Sequence, residues 1–124
     1  MLRAANQHGV PAYRYVFSRH RNNAAAAPIH GDELQFVFDN LRASHRGRQR
    51  PFDATDEQVA KAMADAWVRF AKTGSPAGDG LPNWPAYQAT SQAHLEFGNA
   101  PRAGSGYESP RLDLIRDYYA LQRR

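Results

Sequence analysis

The stretch AAAAPIHGDELQFVF, Ala24 to Phe38, decides how this chain is read. Small residues and a proline lead into His30, then Gly31, two acids and an apolar pattern with helical spacing. A histidine presented this way has three open readings. It caps or decorates the helix start, it ligates a metal, or it belongs to a catalytic set completed from elsewhere. Leu34, Val37, Phe38 and Leu41 fall at i, i+3, i+4 and i+7, one face of a short helix. Asp32 suits its N-cap, or simply places negative charge near the helix's positive end.

Upstream, Val10 to Ser18 alternates, with Tyr13, Tyr15 and Phe17 on one face and Ala12, Arg14 and Val16 on the other, which predicts a strand. Arg19 to Pro28 reads as a polar, alanine-rich loop, and Arg42 to Ala54 as another. Downstream lies the clearest helix. Thr55 and Gln58 fit a T-x-x-Q capping box, Asp56 and Glu57 favour the first turn, and Val59, Met63, Ala66, Trp67 and Phe70 form a core-facing stripe. Gly74 and Pro76 supply the stop. GSPAGDGLPNWPAY, residues 74–87, is turn-rich and extended because its prolines restrict it. Ala93 to Phe97 is a second strand candidate, and NAPRAGSGYES reads as a loop. Ser109 and Pro110 open a last helix carrying Leu112, Ile115, Tyr118, Tyr119 and Leu121.

Two strands and three helices make an incomplete α/β sheet, since a lone strand pair is marginal in water. The 124 residues fit one domain or a piece of a larger one, and 42% hydrophobic with 23% charged residues indicates a globular chain. The formal charge is +4, with Lys61 and Lys72 the only lysines among 16 basic residues. Absence of cysteine excludes disulfides, thiolate metal sites and a cysteine nucleophile. No apolar run approaches the roughly 20 residues of a membrane span, and the polar start MLRAANQHGV has no signal-peptide core.

In order, YRYVFS, PIHGDELQFVFDNL, DEQVAKAMADAWVRFAKTGSP, GLPNWPAY and HLEFG resemble the C-terminal portion of the type-B carboxylesterases, the serine-esterase family that includes the cholinesterases. The resemblance runs from about Ala12 to Gly98, with 109–122 as a looser terminal helix, so residues 1–124 read as the C-terminal part of such a domain. It implies the C-terminal segment of an α/β-hydrolase fold, with His30 as the histidine of a Ser–His–acid triad. That imidazole would take the proton of the serine hydroxyl and return it to the leaving alcohol. A side chain with an ordinary pKa near ~6.5 suits both directions. The implied substrate is a small carboxylic ester, no cofactor is required, and the missing N-terminal part of the same fold is the implied partner.

The chain departs from the family in lacking a G-x-S-x-G elbow. TGSPAG around Ser75 and AGSGYE around Ser105 have the wrong spacing. Triad acid and oxyanion-hole glycines are absent too, and Glu33 reads as a loop-anchoring residue. The isolated chain is therefore expected to be inactive, and an interaction-only module of hydrolase ancestry stands as the alternative. A metal site from His30 with Asp32 and Glu33, or from His8, His20, His45 and His94, has no recognised ligand spacing. Arg42, Arg46, Arg48 and Arg50 offer a phosphate-gripping loop, but one nearby aromatic, Phe52, makes a solvated loop the better reading than a nucleic-acid surface.

Overall fold

Residues 2–20, 27–41 and 51–122 are described in the computed structural model. Along the chain come α1 (Leu2–Gln7), β1 (Tyr15–Phe17), α2 (Leu34–Val37), α3 (Ala54–Thr73), β2 (Ala93–Phe97), β3 (Pro101–Ser105) and α4 (Ser109–Gln122). The sheet order is β1-β2-β3, with β1 parallel to β2 and β2 antiparallel to β3. A parallel pair needs a long crossover, and α2 and α3 lie within it.

Tyr15 and Phe17 lie opposite Leu95 and Phe97, so these four side chains share one sheet face. Against that face α3 lays Val59, Ala60, Met63 and Ala66, which with Phe36, Trp84, Leu95 and Phe97 form the buried core. Burial of such side chains is the main favourable contribution to folding. The strap at 81–87 ties the start of β1 to the rest. Trp84 Nε1 donates to the Arg14 carbonyl at 3.0 Å, and the Tyr87 amide donates to the Ala12 carbonyl at 2.7 Å.

Four local expectations change. The expected Val10–Ser18 strand shortens to Tyr15–Phe17, the three residues that find register partners on β2. NAPRAGSGYES contains a third strand, β3, which weak strand formers adopt because β2 offers its edge. α3 starts two residues earlier than a Thr55 cap implies. Asp53 is its N-cap, in a reciprocal box with Asp56. A short additional helix, α1, opens the chain. The C-terminal stop stands as expected, with Gly74 in the left-handed region at φ 76° and its amide bonded to the Phe70 carbonyl.

On the opposite sheet face, His94 is buried across from Gly104 and meets the Tyr107 ring edge-on at 5.8 Å. A Cβ at position 104 would fall 2.6 Å from His94 Nε2. α4 has the expected helical extent, but Leu112, Ile115, Tyr118, Tyr119 and Leu121 are all exposed. Its periodic residues have no apolar face to meet among the described residues. No helix there is long and apolar enough to cross a membrane.

Candidate active-site histidine

His30 is exposed in the turn that opens α2. The turn closes on itself in both directions: the Asp32 amide donates to the Ile29 carbonyl at 3.1 Å, and the Ile29 amide donates to Asp32 Oδ2 at 2.9 Å. Asp32 thus tethers the turn rather than capping the helix. Glu33 holds the N-cap position, with no side-chain cap bond. Gly31 sits at φ 87°, a region that glycine enters without steric cost.

One side chain fixes α2 to the sheet. Phe36 is buried, with its ring 4.9 Å from that of Phe17 in β1 and 6.1 Å from that of Phe52 ahead of α3. The expected apolar stripe is accordingly corrected. Leu34 and Phe38 are exposed, while Val37 and Leu41 pack at the edge of the core. A helix of one turn cannot present a long stripe, and Phe36 is the position that turn aims at β1. His30 therefore stands in solvent six residues before an anchor on the strand whose carboxyl end leads towards it. Crevices at the carboxyl ends of strands are where open α/β sheets bind ligands. Partial burial, with the Glu33 charge added to it, raises the Tyr15 phenol above its ordinary pKa.

The other candidate residues do not gather around His30 into a ligand set. Among the described residues no three His, Asp, Glu or Cys side chains could hold one metal ion. His8 and His20 are exposed, and His94 is buried on β2. His45 and the Arg42–Arg50 run lie outside the described residues. Ser75 sits in the turn after α3, its Oγ accepting from the Ala77 amide at 3.4 Å, and Ser105 ends β3. Ser18 Oγ donates to Glu96 Oε1 at 2.5 Å, and Arg102 donates to Glu96 Oε2 at 2.6 Å. These bonds, that from Ser18 foremost, hold the Glu96 carboxyl below its usual range. Trp67, Phe70 and Trp84 pack with Tyr13 and Tyr15 between α3 and β1.

The sequence reading missed a buried polar clamp. Arg19, 7% exposed, donates from Nε to Asp56 Oδ1 at 2.9 Å and from Nη2 to both carboxylate oxygens of Asp53, each at 2.9 Å. Its remaining amino group donates to Asn99 Oδ1 at 2.7 Å and to the His20 carbonyl at 3.3 Å. One guanidinium thereby joins the exit of β1, the start of α3 and the β2–β3 turn. The D-x-x-D spacing of Asp53 and Asp56 was a usable signal for the helix start. Nothing local in the sequence marked Arg19.

The Carboxylesterase family model matches residues 1–115. The chain belongs to the carboxylesterase family. It is 37% identical over 85 residues to human cocaine esterase, covering 68% of this chain and 14% of that protein. Over 93 residues it is 32% identical to the para-nitrobenzyl esterase of Bacillus subtilis, covering 74% of this chain and 19% of that protein. A solved PNB esterase superimposes with a TM-score of 0.77 at 28% identity, over 88% of this chain and 22% of the other. A Geobacillus stearothermophilus carboxylesterase does so at 0.69 and 33%, over 82% and 21%. These neighbours make the three-stranded sheet and its helices part of an α/β-hydrolase fold. This carboxylesterase-family chain spans only about one seventh to one fifth of the length of the curated relatives it matches.

Proposed function

We propose that this chain is the histidine-bearing C-terminal portion of a serine carboxylesterase, with His30 as the general base and acid of its triad. The observation that supports the reading best is the presentation of His30: solvent-exposed, on a glycine-containing turn, and six residues from the Phe36 anchor on β1. A proton carrier must reach a hydroxyl supplied by another segment while its backbone stays fixed. In this reading the preceding part of the fold supplies the serine, the acid and the oxyanion-hole donors. His30 accepts the serine proton as Oγ attacks the ester carbonyl, then protonates the departing alcohol. It next takes a proton from water as the water oxygen attacks the acyl-enzyme, and returns that proton to the serine oxygen as the carboxylic acid leaves. The substrate is a carboxylic ester, the chemistry needs no cofactor, and the domain of which residues 1–124 form the end is a type-B carboxylesterase domain.

The test joins this chain behind the preceding part of the Bacillus subtilis relative and follows hydrolysis of a short-chain aryl ester. The fusion is expected to turn over, and His30→Ala to lower turnover by about a millionfold, as loss of a triad member does. The 124-residue chain alone should hydrolyse the ester no faster than its His30→Ala form. Turnover of the fusion that survives His30→Ala would overturn the assignment.

A further inference from the structure

We infer that the aromatic cleft between β1 and α3 is a socket for one apolar side chain of the polypeptide that precedes this segment in its longer relatives, an inference that rests on the reading above. The cleft holds about 160 Å³ and is walled by Tyr13, Tyr15, Trp67, Phe70, Trp84 and Pro76. Its lining is mostly apolar, and the Trp84 indole N–H is already committed to the Arg14 carbonyl. The volume suits one leucine- or phenyl-sized group, since a dry apolar cavity of about 150 Å³ admits benzene. Two of its walls, Tyr15 and Phe70, are exposed in this chain.

Position and length argue for the occupant. Among the described residues β1 is an edge strand whose pairing to β2 is parallel. Parallel sheets are covered on both faces and continue through further βα units, so the next strand enters beside β1 and its crossover passes the α3 face. The cleft opens on that face. Four fifths or more of the relatives' length lies outside the matched segment, ample to supply both strand and plug. A well-packed apolar anchor in such a pocket dominates the energetics of an interface.

The two tryptophans of the chain, Trp67 and Trp84, both line the cleft and serve as its reporters. Both are labelled with 5-fluorotryptophan in the 124-residue chain and in the fusion described above, and assigned through Trp67→Phe and Trp84→Phe. In the fusion both fluorine resonances are expected to move and to lose most of their H2O–D2O solvent shift. Phe70→Asp should return them towards the values of the isolated chain, without changing that chain's own circular dichroism. Unmoved resonances in a fusion that hydrolyses ester through His30 would overturn the socket and leave the esterase reading standing. Moved resonances in a fusion whose hydrolysis ignores His30 would do the reverse. A concentration-dependent shift in the isolated chain would make a second copy the occupant and overturn the inference. So would a fusion that cannot be recovered folded, because the two parts then fail to meet.

Discussion

At the start of α3 two aspartates close a reciprocal box and a buried arginine grips both, whereas the start of α2 has no side-chain cap and leaves His30 in solvent. Both segments solve the same problem, the unsatisfied amides of a first turn. α3 solves it with charge-assisted bonds, of which the Arg19–Asp56 pair is removed from water, and this suits an element carrying most of the core. α2 relies on one buried ring and a self-closed turn. The difference teaches that rigidity of the backbone and accessibility of the side chain are supplied separately. Phe36 fixes the chain, and the imidazole stays exposed among the described residues.

The comparison breaks most easily at Arg19. Arg19→Met strips a fully buried Asp56 of its cationic partner, and urea unfolding of the chain should lose about 3–5 kcal/mol. Gly31→Ala acts on the other helix start. A Cβ there has room, its nearest neighbour being Leu34 Cδ1 at 3.8 Å, so the cost is that of a left-handed backbone, about 1–2 kcal/mol. His30→Ala should change stability by less than about 0.5 kcal/mol, as expected of an exposed side chain. If it costs as much as Gly31→Ala, the turn needs the ring, and the separation of support from chemistry fails.

Acid provides the last and finest test. The Asp56 amide, ahead of Arg19, holds the Asp53 carboxyl below its ordinary value of 3.8. A lowered folded-state pKa contributes stability that is complete above the unfolded value and is lost as pH falls through the folded one. The Asp53 contribution should thus be level from neutrality to about pH 4 and decline below it. Asp53→Asn, which keeps a capping side chain, should flatten that decline. An unchanged acid limb in Asp53→Asn would remove Asp53 from this role.

Much of this architecture was legible because it is periodic. The alternation in Ala93–Phe97, the 3.6-residue stripe of Val59, Met63 and Ala66, and the Gly74 stop are local patterns with local causes. β3 was illegible because Pro101, Arg102, Ala103 and Gly104 carry no strand preference and become a strand only beside β2. The start of α3 offered two overlapping signatures, Thr55 with Gln58 and Asp53 with Asp56. Arg19, distant in sequence, stabilises the second. Leu34 and Phe38 looked like core because their spacing is helical, yet one turn can bury a single residue, and geometry selects Phe36. His30 became a candidate only through its flanking motif. The residues that hold its turn, Asp32 and Phe36, emerge from folded contacts.

The ring of His94 occupies the volume that any side chain at position 104 would need. The two positions are therefore one unit of space divided between neighbouring strands. Enlarging 104 without shrinking 94 should be rejected in a selection for folding, while paired exchanges survive. Sequence libraries randomised at both sites would return them as a correlated pair, each residue narrowing the choices of the other.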